Sequence, residues 1–289
     1  MRTEPSTRLR HWWIAACLLL AMLAGCRTLE PAPAPTLRVM SFNVLVARDI
    51  EGPARWSGRR DALVQVIADA DPDLLGTQEL LREQADFITA RLPQYAWFGH
   101  GRRGDGAADD EHMGVFYHRE RMRLLDSGHF WLSDTPDVPG SITWGTRYPR
   151  MASWGLFERI ADGKRLYLLN THMPYRDEDA TARERGATLI LRHIAGLPAD
   201  LPVVLVGDFN DIPGHPPHRA LTAVLGDAWE HAPRRSGPEG TGHWFEGRAE
   251  RRLDWVLSRG LRPRTVRHLD DAVDGVLPSD HYPVLVEFD

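Results

Sequence analysis

A set of polar residues stands at or just after short apolar runs of the chain, and each offers an oxygen or an imidazole nitrogen as a ligand atom. They are Asn43, Glu79, His172, Asp208, Asn210, Asp254, Asp280 and His281. Such groups bind hard divalent cations and hold or protonate phosphate oxygens. A series of them predicts several strands that deliver their ends to one place, which is how open α/β folds build active sites.

Taken one at a time, these residues have structural explanations as well. Asp208 and Asn210 share one face if their strand continues, but an Asx-type turn that caps the strand explains them equally. Glu79 could equally open the helix that follows it. The neighbours Asp280 and His281 could be a surface pair in a loop. Only their occurrence together in one chain favours a functional site.

Alternating strands and helices position these residues. Apolar residues at helical spacing predict helices over Arg59–Ala68, Arg82–Arg91 and Ala180–Ile194, and a short one over Arg219–Val224. Between them, residues 95–160 read as short β runs without long helices, which indicates antiparallel pairing. The mixture predicts an α/β (α+β) fold: a four-layer α/β/β/α sandwich in which two mixed sheets pack face to face with helices outside.

The composition indicates a globular protein without a basic surface. With 289 residues and 43% hydrophobic content, the chain can bury a substantial core. Residues 36–289 contain no second linker or repeat, so we interpret them as one domain, which we expect to be a monomer. Without residues 1–25 the formal charge is 32 − 39 = −7, which argues against tight non-specific binding to DNA.

The first residues are typical of an export signal. Arginines precede the apolar stretch Trp12–Leu23, which is too short for a comfortable membrane span. The ending Leu-Ala-Gly-Cys26 resembles the lipobox of bacterial lipoproteins, in which the cysteine is acylated. We therefore expect a lipoprotein signal peptide (1–25) and a Pro/Ala-rich tether (26–35) of about 30 Å. The protein would be anchored to a membrane of the bacterial cell envelope through Cys26, on the periplasmic or extracytoplasmic side.

In chain order, the polar blocks resemble the signature motifs of the endonuclease/exonuclease/phosphatase superfamily. The blocks are Ser-Phe-Asn43, Gly-Thr-Gln-Glu79, Asn-Thr-His172, Gly-Asp208-Phe-Asn210, Arg-Leu-Asp254-Trp and Ser-Asp280-His281-Tyr-Pro. The resemblance covers essentially all of residues 37–288. It implies a metal-dependent phosphoesterase, and ordered blocks are far more specific than any single motif.

The resemblance implies a divalent cation at one part of the site. Glu79 would be its principal ligand, with Asn43 and Asp280 close by. Carboxylate and amide oxygens select Mg²⁺ or Mn²⁺ over softer metals, and structural zinc is not expected where no cysteine is available. Whether one or two metals bind is left open by the sequence.

The remaining motif residues are implied to act on the phosphate and on protons. Asp208 would position or deprotonate the attacking water, while Asn210 and His172 would bind phosphate oxygens. His281, held by Asp254, would stabilise the pentacovalent phosphorus or act as the general base. The division of labour between His281 and Asp208 stays open.

Other segments have structural explanations of at least equal weight. Arg147 or Arg150 could hold a substrate phosphate bidentately, although a solvent-facing loop explains them equally. A turn is the better interpretation of residues 215–218, His-Pro-Pro-His. Residues 242–244, Gly-His-Trp, could line a cleft, but tryptophan is more often in the core or at a rim. Residues 101–111, rich in Gly and Asp, predict a mobile surface loop.

Several functions fit these features. A phosphodiesterase or nuclease-like hydrolase is our main expectation, with a phosphate ester as substrate and nucleic acid as one candidate source of that ester. A phospholipid (sphingomyelinase-like) or sugar-phosphate esterase is the alternative within the enzyme class. A catalytically inactive binding protein is the alternative outside it, but such a relative would be expected to have lost some of Glu79, Asp208, Asp280 or His281. The sequence Asp211-Ile212-Pro213 argues against the inositol-phosphatase branch.

Overall fold

The apolar runs of the sequence form the strands of two mixed β-sheets. The computed structural model describes Met1, residues 36–48 and residues 50–289. Its strands are β1 (Leu37–Asn43), β2 (Leu74–Leu80), β3 (Tyr95–Phe98), β4 (His112–His118), β5 (Met122–Trp131), β6 (Met151–Arg159), β7 (Arg165–His172), β8 (Val203–Asp208), β9 (Gly226–Asp227), β10 (Arg234–Ser236), β11 (Asp254–Arg259), β12 (Pro263–His268) and β13 (Val284–Phe288). The expected signal peptide, the tether and Cys26 lie outside the described residues, apart from Met1.

The two sheets differ in strand order. Sheet I has the order β10-β12-β13-β1-β2-β4-β3, and sheet II has the order β5-β6-β7-β8-β11-β9. In sheet I, β1 runs parallel to β2 and antiparallel to β13. In sheet II, β8 runs parallel to β7 and antiparallel to β11. The central strands of both sheets are therefore mixed in direction.

Helices cover the outer face of each sheet. They are α1 (Trp56–Ala70), α2 (Arg82–Arg91), α3 (Ala180–Ala195), α4 (Pro216–Thr222) and the single turn α5 (Ala228–His231). Leu63 of α1 and Ile88 of α2 pack on the outer face of sheet I with Phe42. Ile190 of α3 packs on sheet II beside Leu205. The predicted four-layer α/β/β/α sandwich is confirmed.

Valines and phenylalanines fill the space between the sheets, and one buried amide joins the sheets directly. The Asn170 Nδ2 atom donates to the carbonyls of Thr77 (2.8 Å) and Gly114 (2.9 Å), while its Oδ1 accepts from Gln78 Nε2 at 2.7 Å. Gly76 lies at the same place because a Cβ atom there would be 2.4 Å from Val206 Cγ2. These contacts fix the spacing of the sheets next to the strand ends that carry the motif residues.

Two local predictions need correction. The short helix expected over Arg219–Val224 is α4, which begins earlier, at Pro216. The residues 215–218 therefore form its first turn rather than an isolated turn, because a proline at the first helical position has no N–H to lose. The long helices match the expectation to within three residues at each end. Within the described residues, no helix is long and apolar enough to cross a membrane.

Candidate active site

The motif residues lie in two facing rows, one along the strand ends of each sheet. In sheet II, His172 pairs with Asp208, and Asp208 pairs with Asp254 on the next strand. Arg150, just before β6, extends this row beyond His172, because Ala152 pairs with Thr171. The row therefore runs from a cation through an imidazole to two carboxylates.

The facing row in sheet I is acidic. Asn43 ends β1 beside Gln78, so that Glu79 lies one residue beyond it. Glu111 precedes β4, whose first residue, His112, pairs with Leu80. Asp280 and His281 precede β13, the neighbour of β1 on its other side. The sandwich thus brings together at one edge the residues that the sequence spreads over more than 200 positions.

Asn43 connects the acidic groups of the two rows. Its Nδ2 donates to Glu79 Oε1 at 3.2 Å and to Asp208 Oδ2 at 3.1 Å, while its Oδ1 accepts from the Leu45 N–H. The second Glu79 oxygen accepts from the Val46 N–H at 3.1 Å. The amide nitrogen of Asn43 thus faces the acids, and ligation of a cation through its oxygen would require the amide to turn.

A buried arginine holds the backbone beneath this acidic corner. Arg59 of α1 donates to the carbonyls of Val44 (2.6 Å), Leu45 (2.5 Å) and Pro278 (2.9 Å). Burial lowers the pKa of Arg59 to about 10, which leaves it charged at neutral pH. It joins the end of β1 to the loop that carries Asp280, so the spacing of the acidic groups depends on α1.

Asp208 lies at the centre of the site and is almost completely buried. Its Oδ2 is 3.4 Å from His172 Nε2, and its Oδ1 accepts from the Asn210 N–H at 2.9 Å. Burial raises the pKa of Asp208 to about 7, despite the nearby His281. Burial also lowers the pKa of His172 well below its ordinary value, and Arg150 adds to this. His172 is therefore neutral, and Asp208 is a carboxylate that can accept a proton near neutral pH.

His281 and Asp254 form a hydrogen-bonded pair next to Asp208. The His281 Nδ1 atom is 2.8 Å from Asp254 Oδ2, and its Nε2 atom is 4.0 Å from Asp208 Oδ2. Burial alone would lower the pKa of His281, but the Asp254 and Asp208 carboxylates raise it well above its ordinary value. His281 is therefore a cation whose second N–H points towards the centre of the site.

A positive wall closes the other end of the cleft, and the sequence did not predict most of it. Arg102 and Arg150 are 7% and 5% exposed, and Arg102 Nη2 donates to Glu111 Oε1 at 2.6 Å. The surface loop expected over residues 101–111 is exposed at residues 105, 106, 108 and 109, but Asp110 is buried and accepts hydrogen bonds from the N–H groups of Arg103 and Gly104. No hydrophobic or motif pattern in the sequence marks this loop.

These groups line one cleft of about 390 Å³. Its lining comprises Arg48, Glu79, Arg102, Glu111, Tyr148, Arg150, His172, Tyr175, Asp208, Asn210, Trp244, Asp280 and His281. Asn43 and Asp254 lie beneath the lining and bond to it. Of the two alternatives in the loop before β6, Arg150 lines the cleft, whereas Arg147 is exposed and outside the lining. Tyr148, Tyr175 and Trp244 are 37%, 44% and 45% exposed at its rim.

Several lining residues have strained backbone. Glu79, Asn210 and Trp244 have φ values of 59°, 49° and 46°, a left-handed region that residues with a side chain seldom occupy. Such strain persists where surrounding contacts hold it, and it clusters at functional sites. Here all three residues line the cleft.

Two groups of residues among those described could each offer three ligand atoms to a metal. In the first, atoms of Asp208, Asp254 and His281 lie within 4.8 Å of one another, but Asp254 and His281 already bond to each other. The second consists of His218, Asp227 and Glu230. Its central carboxylate is already bonded, because Asp227 Oδ2 lies 2.9 Å from His218 Nε2 and 2.8 Å from Arg252 Nη1. We interpret the second group as a structural network beneath β11.

Comparison with known proteins agrees with this geometry. The model of the endonuclease/exonuclease/phosphatase family matches residues 40–281. A solved family protein from Bacteroides thetaiotaomicron is 32% identical, with a TM-score of 0.81 over 88% of this chain and 97% of that chain. A mannosyl-6-phosphatase from the same organism is also 32% identical, with a TM-score of 0.79 over 88% of this chain and 99% of that chain.

A curated relative is more distant. Protein angel of Drosophila melanogaster is 22% identical over 222 residues, which are 68% of this chain and 59% of angel. The chain therefore spans a little over half the length of that relative.

Proposed function

The chain belongs to the endonuclease/exonuclease/phosphatase family, and from the geometry of its cleft we propose that it is a divalent-metal-dependent hydrolase of phosphate esters. One observation carries the proposal. The carboxylate of Asp208, the neutral imidazole of His172 and the cation of His281 converge within about 4 Å, next to an acidic corner that can hold a metal.

The acidic corner fits a hard cation. Burial raises the pKa of Asp280, and the Glu79 carboxylate adds to this by repulsion, so that a positive ion between the two would be favourable. The donor atoms are carboxylate and amide oxygens, which suit Mg²⁺ or Mn²⁺. Glu79 and Asp280 would hold the ion, with Asn43 beside them once its amide has turned. When bound, the ion would neutralise charge on the phosphate oxygens and help the leaving alkoxide.

The protein side chains would handle the protons and the phosphate. Asp208 would accept the proton of the attacking water, because burial raises its pKa to about 7. His281, as a cation, would donate a hydrogen bond to the phosphoryl group as negative charge develops on its oxygens. This is the division of labour between Asp208 and His281 that we propose. Asn210 donates one amide hydrogen to the Met173 carbonyl, which leaves its other one for a phosphate oxygen.

The substrate is a separate question. Nucleic-acid and lipid phosphodiesters remain candidates from the sequence. We favour a sugar phosphate, because the cleft is small and has aromatic residues at its rim, and because the chain as a whole is similar to a protein described as a mannosyl-6-phosphatase. Aromatic faces at a rim are suited to stacking against a sugar ring.

Lipid anchoring through Cys26 remains a proposal from the sequence. It would place the enzyme at the surface of a bacterial membrane, with the tether holding the domain away from the bilayer.

A substrate panel tests the proposed activity. Purified protein in Mg²⁺ or Mn²⁺ should hydrolyse at least one of a set of phosphosugars, nucleic acids and phospholipids, and EDTA should stop the reaction. Activity that survives exhaustive chelation would contradict the metal dependence. Absence of activity on the whole panel in both metals would contradict the phosphoesterase function.

A further inference from the structure

The positive wall of the cleft contains an unused buried hydrogen-bond donor. The Nη1 atom of Arg150 is buried and has no hydrogen-bond partner among the described residues. Burial lowers the pKa of Arg150 to about 10, so the side chain is still charged at neutral pH. A buried charged donor without an acceptor is costly, and the cost is recovered when an anion supplies the acceptor. The unpaired donor therefore indicates that an anionic ligand binds here.

The second guanidinium of the wall is held in place from several sides. Arg102 pairs with Glu111 through Nη2 and lies over the ring of Tyr148, 4.6 Å from its centre. Its carbonyl accepts from Trp131 Nε1 at 2.6 Å. The preceding Gly101 leaves no room for a Cβ atom, which would lie 2.1 Å from Asp110 Oδ2. Such support orders the side chain before any ligand arrives, which reduces the entropy lost on binding.

The two guanidinium groups of the wall are paired differently. Glu111 forms an ion pair with Arg102, whereas among the described residues no carboxylate lies within ion-pair distance of Arg150, and Glu111, Glu79 and Asp208 act on it only from further away. The antiparallel register places Met151 opposite His172 and Arg150 one residue beyond it, and both Arg150 and His172 line the cleft, on the side of His172 away from Asp208. Neighbouring strands are about 4.8 Å apart, so an arginine there can contact the same phosphoryl group as His172.

We propose that Arg102 and Arg150 form an oxyanion subsite that selects phosphate monoesters over diesters. A terminal phosphoryl group carries about one and a half to two negative charges at neutral pH and has three free oxygens, whereas a diester carries one charge and has two. The planar guanidinium fork matches such an oxygen pair and charge. In a diester, the second alkyl group would occupy the place that the wall keeps for the third oxygen. The proposal rests on the proposed phosphoesterase function and narrows its substrate class.

Two model substrates with the same leaving group test the selection. p-Nitrophenyl phosphate is a monoester, and methyl p-nitrophenyl phosphate is the matching diester. We expect wild-type full-length protein in Mn²⁺ to have the higher kcat/KM for the monoester. Arg150→Met should lower that value by about 10- to 100-fold, because a charge-assisted hydrogen bond is lost, and change the diester value by less than about threefold.

Control variants distinguish the loss of a contact with the phosphate from a general loss of positive charge and from a loss of folding. Arg123→Met removes an arginine whose side chain is 61% exposed, at the opposite end of the β5–β6 pair, and should leave both rates unchanged. Arg102→Met tests the second member of the subsite. It replaces Arg150→Met in these assays if thermal unfolding shows that Arg150→Met does not fold. Equal losses on monoester and diester would overturn the monoester selection, and unchanged rates would overturn the subsite.

Binding of inorganic phosphate distinguishes failure of the subsite from failure of the proposed function. In EDTA, titration calorimetry should show phosphate binding to wild-type protein and binding at least about tenfold weaker to Arg150→Met. If wild-type protein hydrolyses neither ester but still binds phosphate through Arg150, the proposed function fails and the subsite stands. Phosphate binding that is identical in both proteins would overturn the subsite, whatever the activity.

Discussion

At the scale of single residues, the environment of each ionisable group sets its role. Asp208 and His281 are both buried, yet different features of the surroundings decide the pKa of each. Burial raises the pKa of Asp208 to about 7 and outweighs the hydrogen bonds that it accepts, whereas two carboxylates face His281 and keep it protonated. Paired groups with divergent environments are the usual sign of an acid and base assignment.

Glu79 provides the residue-scale test of the metal site. Glu79→Gln keeps the shape and the acceptor for the Val46 N–H but removes the charge, so we expect Mn²⁺ to bind at least about tenfold more weakly. Titration calorimetry with Mn²⁺ measures this directly. Glu83→Gln, which neutralises an exposed residue in the first turn of α2, should bind Mn²⁺ as wild type does. Unchanged affinity in Glu79→Gln would remove Glu79 as a ligand.

At the scale of elements, close approach of strands fixes the position of the catalytic side chains. Gly207 of β8 lies where a Cβ atom would be 2.2 Å from the Thr171 carbonyl of β7. Asp208 and His172 are the next residues on these two strands, so the approach of the backbones sets the distance between their side chains.

Gly207→Ala should therefore destabilise the fold. We expect a loss of about 1–3 kcal/mol in the free energy of unfolding, because the added methyl group must push the strands apart. Urea denaturation measures this. The matched substitution Gly58→Ala in α1 meets nothing within 4 Å and should stabilise by about 0.5–1 kcal/mol. A Gly207→Ala protein as stable as wild type would mean that the strands can separate without cost.

The sequence predicted what hydrophobic periodicity and motif order can encode. The long helices, the four layers, the strand end that carries Asp208 and the segment before β13 that carries Asp280 follow from such patterns. Arg102 and Glu111 could not be found in this way, because residues 101–111 have the composition of a flexible loop. Their order comes from the Asp110 carboxylate, which accepts from N–H groups within the loop itself. A polar network of this kind has no periodicity to detect.

At the scale of the whole molecule, buried histidines couple stability to pH. His268 is 2% exposed and stacks on Trp229, and burial lowers its pKa from 6.5 to about 4. Between these values the unfolded chain binds the proton and the folded protein does not. Stability is therefore lost as the pH falls from 6.5 towards 4, by at most about 3 kcal/mol for this group.

His268→Phe tests this coupling. The substitution keeps an aromatic ring over Trp229 but removes the titrating group. Unfolding free energies measured between pH 4.5 and 6.5 should depend less steeply on pH in the variant than in wild type. An unchanged slope would show that His268 does not contribute to acid destabilisation.

The proposed location of the molecule at a membrane depends on Cys26. Radioactive palmitate supplied to expressing bacteria should label the wild-type protein and should not label Cys26→Ser. The reason is that the proposed lipidation requires this cysteine, and Cys17 lies in the segment that the signal peptidase would remove. Label that persists in Cys26→Ser would contradict the lipoprotein assignment and leave the proposed enzymatic function untouched.

The rate of phosphate-ester hydrolysis by His281→Ala in saturating Mn²⁺ tests the proposed mechanism at its centre. His281 precedes β13 of sheet I, and its imidazole is held by Asp254 at the start of β11 in sheet II. We predict that kcat falls by about 100- to 10,000-fold, while thermal unfolding shows a folded protein. A folded His281→Ala protein with wild-type kcat would contradict the proposed role of His281 in catalysis.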